Sequence, residues 1–224
     1  MPYTARTHQL SQSLLYHIYN RANGRSEIFH DSEDYQKFLS LLSSYSKKHD
    51  LSVYHWVCMP NHYHFVLELG DPERLSSIMA GFARAYVYYY HYKYQSSGHI
   101  WQGRFKSQPI EKEHYLLSCG RYIERNPVKA KMVDFAEDYP YSSAAYYVYD
   151  KQDNLTIEDP IFETFGKEPI QRRRLYKEFL EIFDPDSDEP FEKLEKPQGS
   201  QEFLKRLMKE KGLFLPRRRG RARK

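Results

Sequence analysis

Two histidines, His62 and His64, stand two residues apart in MPNHYHFVLE (Met59 to Glu68), directly after a Met-Pro-Asn turn. In an extended strand, residues i and i+2 project from one face. The two imidazoles would then lie side by side, with Tyr63 and Phe65 on the opposite face. Two neutral imidazoles on a rigid strand make half of a metal site; they are equally consistent with two satisfied histidines on a polar sheet face. The chain has 10 histidines, enough for a His-x-His to arise by chance. The other half of any site has to come from elsewhere.

The segment CGRYIERNPVKAKMV supplies a partner. On a helix, Tyr122 and Asn126 are i and i+4, one turn apart on one face. A phenol and an amide oxygen brought opposite two imidazoles would form a specific kind of site. His62, His64 and Asn126 can hold a divalent cation with open positions for a phosphate, and Tyr122 would stand ready as a nucleophile. A free phenol with a pKa near 10 attacks poorly at neutral pH. A metal-bound phosphate is the better electrophile, and the same cation favours phenolate. Tyr115 is a rival nucleophile on the same side of the helix, ~10 Å along its axis and about 20° off the face of Tyr122. It is two turns from Asn126, so the spacing favours Tyr122. His114 and His55 read as packing or surface residues without a role.

Several elements must position these groups. Residues 12–20 read as a first strand, followed by the turn chemistry of NRANGR. Asp31 is placed to cap a helix with Glu33 and Asp34 in its first turn, and Tyr35, Phe38, Leu39, Leu42 and Tyr45 keep helical spacing to about Lys48. Residues 51–58 and 62–69 read as strands. A helix starting at Asp71-Pro72 carries a stripe of Leu75, Ile78, Met79, Phe82, Tyr86, Tyr89 and Tyr90. Residues 99–110 read as extended, and 112–125 as a helix stopped by Asn126-Pro127, since the residue before proline resists helical angles. The order predicts an α+β fold, an antiparallel sheet with helices packed largely on one face. Composition shifts after about Asp150. Residues 168–183 read as a helix, DPDSDEPFEKLEKPQGS as an acidic linker, and QEFLKRLMKEKG as a helix capped by Ser200 whose Phe203, Leu204, Leu207 and Met208 share a face. The domains expected are residues 1–150, a helical extension over 151–215, and a basic tail over 216–224.

The composition narrows the class. With 40% hydrophobic and 16% aromatic residues the 224-residue chain can bury a real core. No stretch has the apolar length of a membrane span, and MPYTARTHQLSQS lacks the apolar centre of a signal peptide. Cys58 and Cys119 form no disulfide framework, which fits a reducing cytoplasm. The net charge of +4 divides into about +1 over residues 1–150, about −4 over 151–210 and about +7 after Glu210. A near-neutral body with a cationic end suggests a polyanionic partner, with a solubilising tail as the bland alternative.

MPNHYHFVLE resembles the His-hydrophobe-His motif of the HUH superfamily of single-strand nucleases, and RYIERNPVKAKMV resembles the tyrosine helix of the REP-associated tyrosine transposases. The stretches NRANGRSEIFHDSEDYQKFL, GHIWQGRFKSQPI and YPYSSAAYYV are similar to that family's further motifs, in the right order over roughly residues 12–148. The resemblance implies a ferredoxin-like core and Mg²⁺- or Mn²⁺-assisted transesterification on single-stranded DNA next to hairpins. Residue by residue, His62 and His64 become metal ligands and Tyr122 the nucleophile, leaving a 5′-phosphotyrosine and a free 3′-hydroxyl. Asn126 stands where the wider superfamily often has glutamine.

Further residues bear on DNA. Arg104 and Lys106 can contact phosphates, as can Arg21 and Arg25 more weakly, while Trp101 and Phe105 read as packing residues. Tyr88, Tyr92 and Tyr94 are candidates for stacking on bases. The end, PRRRGRARK, resembles an AT-hook whose core would be Arg219, Gly220 and Arg221 in an A·T-rich minor groove. Ala222 replaces the usual proline, and a generic phosphate-binding tail fits as well. The reading is a cytoplasmic nicking and joining enzyme, monomeric or homodimeric. Its rivals are a non-cleaving hairpin-DNA regulator that keeps the fold, and a metal-dependent phosphodiesterase that uses water.

Overall fold

The computed structural model describes residues 15–69, 74–183, 185–193 and 197–211. Four strands form one antiparallel sheet: β1 (Leu15–Arg21), β2 (Leu51–Met59), β3 (His62–Leu69) and β4 (Lys106–Ile110), in the order β2-β3-β1-β4. Helix α1 (Ser32–His49) connects β1 to β2, and α2 (Leu75–Tyr94) connects β3 to β4. This is the ferredoxin-like arrangement expected, and it makes β1 and β3 the two central strands.

The local signals act as read. The Asp31 carboxylate accepts from the Asp34 amide at 3.1 Å at the start of α1, and Asp50 ends that helix in the left-handed region at φ 54°. Alternation along the strands divides two cores. Tyr16, Ile18, Tyr63, Phe65 and Leu67 face α1 and α2, where they meet Phe38, Leu42, Ile78, Phe82 and Tyr86. Each fully buried side chain of this kind contributes about 1.5–3 kcal/mol. Leu15, Val57, Met59, Val66 and Ile110 face the other way, against α3 (Lys112–Glu124) and its Leu116, Cys119, Tyr122 and Ile123. The expectation of helices on one face therefore holds for the two crossover helices, whereas α3 covers the opposite face. A bulge between Val53 and His55 reverses the alternation of β2, so that Leu51 and Val53 share the core of α1 and α2 with Trp56 and Cys58.

Two expectations about the chain after α3 are corrected. α3 ends at Glu124 with Arg125 as its cap, close to where it was expected to stop, but Asn126 is helical in spite of the proline after it: a short helix α4 (Asn126–Lys129) follows at once, with the Lys129 amide donating to the Arg125 carbonyl at 2.9 Å. Proline sits in the first turn of α4, where its missing N–H is not needed. Nor is the acidic stretch a bare linker. Residues Pro185–Lys193 form α7, with Asp186 and Asp188 in its first turn and Phe191 buried against α3. The helices α5 (Ala144–Tyr149) and α6 (Pro169–Glu181) share a third core of Ala144, Tyr147, Phe162, Tyr176 and Leu180. In α8 (Gln201–Lys211), the Ser200 hydroxyl accepts from the Phe203 amide as expected, and Phe203 and Leu207 join the core of α1 and α2.

A buried polar centre braces α3 from behind. His55 on β2 bonds Glu124 of α3 through Nδ1 at 2.8 Å and Asp159 through Nε2 at 3.0 Å, all three fully buried. The Ser143 and Tyr176 hydroxyls donate to Glu124 at 2.6 and 2.7 Å. Burial opposes a charge on His55, but the two carboxylates outweigh it and raise its pKa to about 9. His55 is thus a packing residue, as read, and a charged one.

Candidate active site

β3 projects His62 and His64 from the α3 side of the sheet, their rings 5.3 Å apart and nearly perpendicular, while Tyr63 and Phe65 enter the opposite core. α3 brings Tyr122 onto His64 edge to face, with centroids 5.7 Å apart and planes at 89°. Residues distant in sequence are thereby joined on one sheet face. Tyr115 lies instead against Phe191, with ring centroids 6.5 Å apart.

β1 adds residues that the sequence reading did not single out. Tyr19 lies opposite His64 in the register and its ring is 4.7 Å from that imidazole. His17 stacks on His64 at 5.0 Å, with its Nε2 2.8 Å from His64 Nδ1, and meets the Tyr122 ring at 5.9 Å. The signal for both was the i, i+2 spacing of His17 and Tyr19 in YHIYN, legible only once β1 is paired with β3. Phe191 of α7 packs on Tyr122 at 5.8 Å, and the Lys129 ammonium lies 5.0 Å above the same ring, paired to Asp188 at 2.7 Å and Glu192 at 3.2 Å. Tyr122 is left only 6% exposed. Burial first, then the carboxylates of Glu192 and Asp188, push its phenol above the usual range.

The motif histidines are neutral. Burial, then the Arg21 charge, lowers His62 to about 4; burial, then His17 and His62, holds His64 well below its ordinary value. Asn61 Oδ1 accepts from His62 Nδ1 at 2.6 Å, which leaves Nε2 of that ring with its lone pair. The Asn126 amide nitrogen donates to the Tyr122 and Ile123 carbonyls at 2.9 and 3.1 Å, so Oδ1 is the atom it can offer a cation. Among the described residues no three His, Cys, Asp or Glu side chains converge on a metal position. By donor chemistry alone, neutral imidazoles suit Zn²⁺ and similar metals and an amide oxygen suits Mg²⁺ or Mn²⁺.

The candidate DNA contacts divide. Arg21 pairs in register with His62, and Lys106 with Tyr19, so both belong to the face of the histidines; the Arg21 guanidinium also donates to Gln102. Arg104 instead lines a cavity of about 440 Å³ with Tyr63, Met79, Trp101 and Phe105, beside α2. Arg25 is exposed and its carbonyl accepts from Asn61 at 3.0 Å. Tyr88 and Tyr92 are exposed, but Tyr94 donates to Asp34 at 2.7 Å. Arg219, Gly220 and Arg221 lie outside the described residues. Among those described, no helix is long and apolar enough to cross a membrane.

The sequence defines the class, the transposases, enzymes that cut and join DNA: the family model described as "Transposase IS200 like" matches residues 10–126. The chain belongs to the IS200-like transposase family. A solved structure of a REP-associated tyrosine transposase bound to a REP hairpin shares its fold, with a TM-score of 0.53 and 22% identity over 71% of this chain and 93% of that one. A search of curated proteins finds no significant match.

Proposed function

We propose that this transposase is a metal-dependent single-strand DNA endonuclease and strand transferase that works in the cytoplasm beside DNA hairpins. The observation that carries the reading is the contact between Tyr122 and His64, which sets a helix-borne phenol against the two-histidine strand. His62 and His64 would hold the cation through Nε2, with Asn126 as a third donor. A divalent cation there supplies Lewis-acid charge to a phosphate oxygen. The Tyr122 oxygen attacks phosphorus as its proton leaves, and the 3′ oxygen departs and takes up a proton. This yields a 5′-phosphotyrosine and a 3′-hydroxyl. The exchange conserves a phosphodiester, so the reverse step joins strands. Arg21 and Lys106 are suited to flanking phosphates on the same face. The hairpin partner is supported by the relative solved with a REP hairpin. The basic tail would add phosphate or A·T-rich duplex contacts.

The test incubates fluorescent hairpin oligonucleotides with the protein and Mn²⁺ or Mg²⁺, followed by denaturing protein gels beside Tyr122→Phe and Tyr115→Phe. A DNA-shifted band lost only in Tyr122→Phe is expected. Cleavage without an adduct would assign water as the nucleophile. Tight hairpin binding with neither cleavage nor adduct, across metals and sequences, would make the protein a binding regulator.

A further inference from the structure

Behind the histidine pair, on the other face of the sheet, lies the cavity of about 440 Å³, which none of the chemistry above uses. Asn20 and Tyr63 line it. They pair across β1 and β3 between the register positions of His62 and His64, and the pleat turns them to the opposite side. Met79, Trp101 and Phe105 give the cavity apolar and aromatic walls, and Asn20, only 6% exposed, gives it an amide. The Trp101 indole nitrogen is buried and makes no hydrogen bond, although an indole N–H only donates and a buried one ordinarily finds an acceptor. A nucleobase answers both features, with flat aromatic faces for the walls and carbonyl oxygens or ring nitrogens for the donor. Arg104 lines the same cavity and is exposed, so the phosphate attached to such a base would meet a guanidinium.

The surface leading away from the cavity fits the rest of a strand. Ala80 lines the cavity, and its i, i+4 row on α2 runs on through Arg84, Tyr88 and Tyr92, all exposed, the two tyrosines at 70% and 82%. A cation followed by exposed aromatic rings holds single-stranded nucleic acid by phosphate contact and base stacking. Lys106 lies two residues after Arg104 but on the histidine face, opposite Tyr19. Cationic groups thus flank both faces of the sheet edge, where a strand leaving the histidines would turn toward α2. We propose that an unpaired base of the DNA, outside the hairpin stem, seats in the cavity between α2 and Trp101, and that its strand continues over Arg84, Tyr88 and Tyr92. The inference rests on the single-strand DNA reading above. It needs neither cation nor nucleophile, so the two can fail separately.

The test uses the full chain in EDTA, which removes the cleavage step, and a hairpin oligonucleotide with randomised single-stranded flanks. 5-Iododeoxyuridine is placed at one flank position at a time and irradiated, and the linked peptides are identified by mass spectrometry. Linkage from one flank position to Met79, Trp101 or Phe105 is expected; linkage confined to other residues overturns the proposal. The second readout is fluorescence anisotropy with wild type and Ala83→Leu, whose longer side chain fills the cavity without removing a core residue. Ala83→Leu should weaken binding about 5–150-fold, the contribution of one stacked base, and should abolish the loss that an abasic nucleotide at the linked position causes in wild type. A folded Ala83→Leu protein with wild-type affinity overturns the proposal, and a changed sedimentation coefficient in that protein would assign the cavity to a second copy of the chain. If Ala83→Leu does not fold, the linkage map of wild type decides. Wild type that binds no hairpin DNA overturns this inference together with the DNA reading. Cavity linkage without a covalent adduct under any metal upholds the cavity and overturns only the enzyme.

Discussion

Tyr122 meets His64 edge to face at 5.7 Å and is simultaneously covered by Phe191 of α7, 5.8 Å away. The phenol is thus aimed at the histidine strand and shut off from solvent by a helix that the core fold does not require. If Tyr122 is the nucleophile proposed above, a strand of DNA needs that space. Phe191→Ala is expected to speed formation of the covalent DNA adduct in single-turnover assays, while costing about 3–5 kcal/mol of stability as a large buried aromatic is removed. An adduct rate that is unchanged or lower in a folded variant would show that α7 is no obstacle.

Arg21 and Lys106 share the histidine face, whereas Arg104 lines the cavity beside α2. If the first two neutralise phosphates beside the scissile bond, Arg21→Ala and Lys106→Ala should each lower the salt slope of hairpin binding by about 1. Fluorescence anisotropy at several salt concentrations measures this, and an unaltered slope removes the residue from the interface.

Stability should peak near neutrality, from two opposed sets of histidines. His17 and His62, lowered by burial to about 3 and about 4, refuse protons that the unfolded chain accepts below about 6.5, so stability falls as pH drops through that window. His55, raised to about 9, keeps a proton that the unfolded chain sheds above about 6.5. Its contribution is complete below that pH and is lost as pH rises through about 9. Melting temperatures from about pH 4.5 to about 9.5 should therefore fall on both sides, and His55→Gln should flatten the alkaline limb alone.

Gly120 faces the His55 ring so closely that a Cβ there would sit 2.7 Å from Nε2 and Cδ2. The ring is fixed by Glu124 and Asp159 and cannot yield. Gly120→Ala is expected to cost about 1–3 kcal/mol in urea denaturation, despite alanine's better helix propensity, and to slow adduct formation by shifting α3. A stabilised variant would mean that α3 is not clamped at this point.

Much of this was legible in the sequence, where the physics is local. The Asp31 and Ser200 caps depend on a side chain and an amide three residues on, and the strand pleat alone sends His62 and His64 to one face. The helical period set Tyr122 apart from Tyr115. These signals, with the resemblance to a tyrosine transposase, were enough to expect the ferredoxin-like sheet. Where local rules had two outcomes, they misled. Asn126-Pro127 marks the end of α3 but hides that proline is equally at home in the first turn of a new helix, and the stretch DPDSDEPFEKLEKPQGS looks like a linker until Phe191 finds a place to be buried.

The remaining features were decided by tertiary structure. His17 became a neighbour of His64 through the β1–β3 register, and His55 acquired its charge from carboxylates on α3 and a later loop. Phe191 closed over Tyr122 only after α7 packed on α3. Each of these depends on the desolvation and pairing of groups remote in the chain. Composition, spacing and propensity carry no term for that, so the residues themselves were visible in the sequence but their environments were not.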